Sequence, residues 1–166
     1  AVFVLALGPA LAGGGEQATR TVVVMGDSLS AGYNLPPGAG FPAQLGIWLN
    51  NNGTQVNIIS AAVSGDTSSG GLARIDWAVS GPGGARPDLV IIEFGGNDAL
   101  RGLEPSLTRA NLAQMIEILK ARSIPVLLAG MRAPPNMGRE YETEFNRLYP
   151  ELAEAYGVHF YPFFLE

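Results

Sequence analysis

Asp88-Leu89-Val90-Ile91-Ile92-Glu93-Phe94 is a β-branched run, apolar on both faces, that breaks into Gly95-Gly96-Asn97-Asp98. A strand covered on both sides belongs in the middle of a parallel sheet with helices above and below it. Thr21–Met25, Gln55–Ser60, Pro125–Met131 and Val158–Phe164 read as further strands. Helical segments alternate with them. Phe41–Asn52 has Pro42 in its first turn and Leu45, Trp48 and Leu49 on one face. Ala61–Gly71 reads as a small-residue loop, Leu72–Val79 as a helix and Gly81–Gly84 as a loop. Pro105–Arg122 carries Leu112, Met115, Ile116 and Leu119 at helical spacing. Arg139–Tyr156 is expected to bury Phe145, Leu148, Leu152 and Ala155, with Gly157 closing it. This alternation predicts an α/β protein: a three-layer α/β/α sandwich around a five-stranded parallel sheet.

The composition narrows the function classes. The 166 residues are 47% hydrophobic and 15% charged, enough apolar side chain for one compact domain over 21–166. The net charge is −5 and no Lys/Arg run occurs, which argues against a nucleic-acid partner. The absence of cysteine removes disulfides, thiolate metal sites and a cysteine nucleophile. No metal and no cofactor is expected. Residues 1–20 read as a signal-peptide remnant and linker, because the apolar run Ala1–Leu7 leads to Ala10-Leu11-Ala12 and then Gly13-Gly14-Gly15. Cleavage is expected after Ala12, with a periplasmic or secreted product. The apolar run is too short to span a bilayer, so no stable membrane insertion is expected. A monomer is expected.

In a sheet of this kind ligands bind beyond the carboxyl ends of the strands. Three loops at that edge carry reactive or donor groups. Gly26-Asp27-Ser28-Leu29-Ser30 follows the first strand, Ser64-Gly65-Asp66-Thr67-Ser68 the second, and Gly95-Gly96-Asn97-Asp98 the third. Each has an ordinary structural explanation on its own. Ser28 and Asp66 suit helix caps, and Gly65, Gly95 and Gly96 suit positive φ. Together they provide an alcohol nucleophile, a glycine N–H open to approach and a carboxamide donor. Acyl transfer needs that set: a hydroxyl to attack, and preorganised donors for the oxyanion that develops.

These segments resemble the SGNH (GDSL) hydrolase superfamily, and within it the bacterial thioesterase I / lysophospholipase L1 / arylesterase group. The resemblance runs through Gly26–Tyr33, Ser64–Ser68, Gly71-Leu72-Ala73-Arg74, Glu93–Asp98, Leu100-Arg101-Gly102, Tyr149-Pro150 and Pro162-Phe163-Phe164, and so covers Thr21 to Glu166. It implies a flavodoxin-like strand order and hydrolysis of acyl or aryl esters and thioesters. It also implies that Ser28 is the nucleophile. The N–H groups of Ser28 and Gly65 and the side chain of Asn97 would form the oxyanion hole. Asp27, Leu29, Asp98 and Leu100 flank these groups. With Arg132, Pro134 and Met137 of the loop after the fourth strand, they are expected to contact the substrate.

A serine nucleophile needs a base. The family supplies it from an Asp-x-x-His segment near the C-terminus, and no such segment occurs here. The single histidine, His159, follows Tyr156-Gly157-Val158 inside the last predicted strand and reads as a structural or partly exposed residue. The C-terminal segment of the fold is therefore expected to be missing from these 166 residues, together with the catalytic Asp and His. Loss of the triad serine or histidine from a serine protease lowers kcat about 10⁶-fold, so residues 1–166 alone are expected to be nearly inactive. Two alternatives remain at this stage: a carbohydrate acetyl-esterase, and a non-catalytic flavodoxin-like binding module. The chain lacks a Gly-x-Gly-x-x-Gly or P-loop lysine that would favour the latter.

Overall fold

The structure, a computed structural model, describes residues 18–80 and 86–166. The expected leader within residues 1–17 and the loop Gly81–Gly84 lie outside the described residues. Strands β1 (Arg20–Gly26), β2 (Val56–Ser60), β3 (Leu89–Glu93), β4 (Val126–Ala129) and β5 (His159–Tyr161) form one sheet in the order β2-β1-β3-β4-β5. All four pairings are parallel. The order reverses between β1 and β3, so the loops leaving these two strands flank a topological switch point, where open α/β sheets take their ligands.

Alternation along the strands divides the core between the two faces. Val23, Met25, Val90, Ile92, Val126 and Leu128 point one way. They meet Ile75 and Val79 of α4 (Ile75–Val79), Leu112, Met115, Ile116 and Leu119 of α6 (Pro105–Ala121), and Phe145, Leu148, Tyr149 and Leu152 of α7 (Arg139–Tyr156). Val22, Val24, Leu89 and Ile91 point the other way, with Phe41 and Leu45 of α2 (Phe41–Asn51) packed against them. β3 is buried at every position, as a central parallel strand must be.

Four details depart from the sequence expectation. Trp48 is 53% exposed rather than buried with Leu45 and Leu49. The glycine at 46 lets α2 sit close on β2, since a Cβ there would stand 3.1 Å from Ile58 Cγ1. That contact turns the buried stripe toward Pro42, Leu45, Gly46 and Leu49 and leaves Trp48 roughly 90° round the helix. The segment 61–79 is not a loop followed by one helix. It forms α3 (Ser68–Ala73) and α4, broken at Arg74. Thr67 starts α3 early because its side chain accepts the Gly70 N–H. Ala155 is exposed, and Tyr149 and Ala153 take the buried positions of α7. β5 spans three residues because Pro162, with no N–H, follows Tyr161; the chain stays beside β4 through the Phe164 N–H to the Gly130 carbonyl, 2.9 Å.

Candidate active site

β1 ends at Gly26, and the chain turns at once into the single helical turn α1 (Ser28–Ala31). Asp27 is the N-cap: its Oδ1 accepts the Leu29 N–H at 2.9 Å. Ser28 is therefore the first helical residue, half-buried at the carboxyl edge of the sheet. The turn is built over a buried acid. Glu93 Oε2 accepts the Ser30 hydroxyl at 2.8 Å and the Asp27 N–H at 3.3 Å. Gly26 has to be glycine here, because a Cβ would lie 2.6 Å from Ser30 Oγ and 2.7 Å from Glu93 Oε2.

The second loop places Gly65 at φ 81° and exposes it. Arg101 donates to the Gly65 carbonyl at 2.7 Å. Arg74, at the break between α3 and α4, holds the base of this loop. It donates to Asp66 Oδ2 at 2.8 Å, to the Gly26 carbonyl at 3.3 Å and to the Ala61 carbonyl. Among the described residues, the N–H groups of Ser28 and Gly65 have no protein acceptor.

The third loop carries Asn97 on α5 (Gly96–Leu100). Its Nδ2 donates to Asp27 Oδ2 at 2.9 Å and to the Asp66 carbonyl at 2.8 Å. One amide nitrogen thus links all three loops. Gly95, at φ 120° and ψ −21°, makes the sharp entry to α5. Only glycine adopts that backbone readily.

The sequence-predicted contacts divide into two groups. Asp98 was expected to face substrate, yet it is fully buried. Its carboxylate accepts the Ser68 N–H at 2.9 Å, the Thr108 hydroxyl at 3.1 Å and the Ser68 hydroxyl. Asn111 donates to Ser68 Oγ at 2.9 Å and Ser69 Oγ at 2.8 Å. This network fastens the Gly65 loop to α5 and α6. Asp27 is also corrected: it is 1% exposed, with both carboxylate oxygens turned inward. Leu29 is half-buried against the main core. Leu100 is 73% exposed. Pro134 and Met137 are half-buried, and a Cβ at Gly102 would stand 3.8 Å from Met137 Cε, so the loops after β3 and β4 meet. Arg132 is exposed and lies over the Phe163 ring at 4.5 Å.

The electrostatics follow from this burial. Glu93 is pushed up to about 8, first by burial and then by the Asp27 charge; its Oε1 has no partner among the described residues. Asp27 is raised as well, mainly by burial. The four acids at the site, Asp27, Asp66, Glu93 and Asp98, all accept hydrogen bonds that set loop positions. His159 is remote from them. It lies exposed at the start of β5 and lines a groove with Lys120, Ser123 and Pro125 at the amino edge of the sheet, opposite Ser28. Sequence reading missed Ser30, Ser68, Glu93, Thr108 and Asn111. The signal was present, since Thr108 and Asn111 stand on the buried stripe of α6 and Glu93 is a lone acid in an apolar strand.

A serine at a strand–helix turn, an open glycine N–H and an asparagine amide between them are the marks of one hydrolase family. Its model, the GDSL-like lipase/acylhydrolase family, matches residues 24–166. The chain belongs to the GDSL-like lipase/acylhydrolase family. An arylesterase of Vibrio mimicus is 42% identical over 151 residues, 91% of this chain and 74% of that protein. The thioesterase 1/protease 1/lysophospholipase L1 of Escherichia coli K12 is 39% identical over 149 residues, 90% of this chain and 69% of that protein. AlinE4, an SGNH-hydrolase family esterase, superposes with a TM-score of 0.87 at 47% identity, over 91% of this chain and 79% of AlinE4. TesA superposes at 0.81 with 40% identity, over 88% and 79%. The five-stranded parallel sheet and its helices are the family fold.

Proposed function

We propose that Ser28 of this GDSL-family chain is the nucleophile for cleavage of acyl or aryl esters and thioesters. The observation that carries this is the set of donors around one half-buried hydroxyl: two backbone N–H groups without acceptors and the Asn97 amide. Ser28 Oγ attacks the carbonyl carbon. Negative charge moves to the carbonyl oxygen, where the N–H groups of Ser28 and Gly65 and the Asn97 amide stabilise it. The tetrahedral species expels the alcohol or thiol, which takes up a proton, and water then hydrolyses the acyl-serine. Apolar side chains at the same edge support an acyl or aryl substrate. Tyr33 is 67% exposed, Leu35 53%, Val63 48% and Leu100 73%. One apolar pocket discriminates weakly among such substrates.

The base that takes the Ser28 proton comes from outside these 166 residues. His159 stands at the wrong edge of the sheet, and the site's acids are occupied with internal hydrogen bonds. On this reading the 166-residue chain is expected to be a monomer of negligible turnover, which extension with an Asp-x-x-His segment should restore. Export would remove residues 1–12, and N-terminal sequencing of secreted protein reads that cut. A fluorophosphonate probe on full-length protein should label Ser28, and S28A should abolish both labelling and hydrolysis of p-nitrophenyl esters. Labelling elsewhere, or nucleotide-dependent stabilisation without labelling, overturns the esterase reading. Activity confined to acetyl esters across a p-nitrophenyl chain-length series would favour a carbohydrate acetyl-esterase.

A further inference from the structure

Asp27 is chemically conspicuous and, at 1% exposed, unable to touch substrate. Its Oδ1 caps α1 through Leu29 N–H, and its Oδ2 accepts from Asn97 Nδ2 at 2.9 Å. The second contact of the same Asn97 nitrogen is the Asp66 carbonyl at 2.8 Å. A carbonyl can only accept, so the amide nitrogen and not the amide oxygen must occupy that point. Both hydrogens of Nδ2 are then engaged in the free protein. A substrate oxyanion can receive one only if one of these bonds yields.

The two acceptors differ. The Asp66 carbonyl belongs to the exposed-edge loop that follows Gly65, whereas Asp27 is locked beneath the turn by its own N–H to Glu93 and by the Leu29 cap. We propose that Asp27 is a positioning residue of the oxyanion hole: Asp27 Oδ2 keeps one Asn97 N–H, fixing the plane and direction of the carboxamide, while the Asp66 carbonyl gives way and leaves the other N–H to the developing oxyanion. This inference rests on the Ser28 esterase reading and gives Asp27 a role distinct from its helix cap.

The chemistry of substitution separates the two roles. In D27N one side-chain oxygen remains. If it caps Leu29, the new NH₂ faces the Asn97 NH₂, donor against donor, and a flip of Asn97 would only set its oxygen against the Asp66 carbonyl, so the carboxamide loses its fixed orientation. In D27S the short hydroxyl still accepts from Leu29 N–H but does not reach Asn97.

The test uses full-length protein, with kcat and KM for p-nitrophenyl esters in wild type, D27N, D27S, N97A, D27N/N97A and D27S/N97A. Removing one oxyanion donor lowers kcat about 10²–10³-fold, and D27N and D27S should approach that loss with KM changed less than about threefold. In the N97A background the same substitutions should lower kcat by less than about threefold, because the amide they disorient is gone. Equal losses in both backgrounds mean that Asp27 acts through the cap alone and overturn the proposal. S28A distinguishes the two failures: retained activity in S28A defeats the esterase reading, whereas an inactive S28A with additive Asp27 effects defeats only this inference. Should D27N not fold, D27S carries the same cycle. A ¹⁵N spectrum adds a readout independent of turnover. The Asn97 side-chain pair, identified by its loss in N97A, should shift in D27S, and an unmoved pair counts against the proposal.

Discussion

Gly95→Ala tests the entry to the Asn97 helix. Gly95 sits at φ 120°, ψ −21°, and an added Cβ would lie 1.9 Å from Tyr149 Oη. Tyr149 is 1% exposed, so the ring has no free space to retreat into. Its hydroxyl donates to the Phe94 carbonyl at 3.0 Å, across a contact between α7 and the end of β3. The backbone strain costs about 1–3 kcal/mol, and forcing a buried ring aside costs about as much again. G95A should therefore lose about 4 kcal/mol. For a domain of this size, about 2–4 °C accompanies each kcal/mol, which puts the fall in Tm at roughly 8–16 °C. Y149F alone removes the donor and leaves the Phe94 carbonyl unsatisfied, at about 1–3 kcal/mol.

The double variant decides the reasoning. G95A must already break the Tyr149 hydrogen bond by displacing its oxygen. Deleting that oxygen afterwards loses nothing further and removes the worst contact. The next nearest atoms, Phe145 Cζ at 3.2 Å and Tyr149 Cζ at 3.3 Å, need give way by only a few tenths of an ångström. G95A/Y149F should thus be at least as stable as G95A and exceed additivity by about 2 kcal/mol. Thermal and urea unfolding of the four proteins measures this. Additivity within about 0.5 kcal/mol would refute the steric argument.

Three other outcomes follow from the buried acids and the remote histidine. Folded Glu93 holds its proton up to about 8 against a usual 4.5, so folding retains a proton between those values and stability falls as pH rises across that window. E93Q should flatten the pH-stability curve there, and an unchanged slope in urea melts refutes this. D98N replaces a carboxylate that accepts from Ser68 and Thr108 by a group with one acceptor oxygen, so it should destabilise by about 2–4 kcal/mol and lower esterase activity through the Gly65 loop; an unaltered Tm refutes it. H159A should leave kcat and KM of the full-length esterase within about twofold, and a loss of the size expected for a general base, about 10²–10⁴, refutes its placement.

The strands were legible because burial on both faces writes continuous apolar runs into the sequence, and Gly- and Pro-containing loops separate them. Pro105–Ala121 and Arg139–Tyr156 were legible because their apolar residues recur at helical spacing. The three loops of the site were legible as chemistry, one hydroxyl and two donors. What sequence could not give was the direction of each acid. Asp27 and Asp98 look like ordinary turn residues, and their partners Asn97 and Ser68 lie 70 and 30 positions away. Those pairings exist because the order β2-β1-β3 brings three loop ends to one place. The break at Arg74 has the same cause: its guanidinium reaches Gly26, Ala61 and Asp66, contacts that local helix propensity does not foresee.

The arrangement of these acids bears on how the site reaches its chemistry. Asp27, Asp66, Glu93 and Asp98 crowd one sheet edge, and Arg74 is the cation paired with a member of this group, through Asp66. Burial, and then repulsion from neighbouring acids, raises Glu93 and Asp27, which favours a proton on Glu93 at neutral pH. Each carboxyl group then serves as an acceptor for a particular donor: Leu29 N–H, Asn97 Nδ2, Ser30 Oγ or the Ser68 N–H. These bonds tie each acid to a loop position, and Glu93 Oε1 is the buried carboxyl oxygen left without a partner among the described residues. The same hydrogen bonds commit these acids to holding the oxyanion donors. In the proposed mechanism preorganisation and proton transfer therefore fall to different residues: the acids hold the donors in place, and a separate base takes the Ser28 proton.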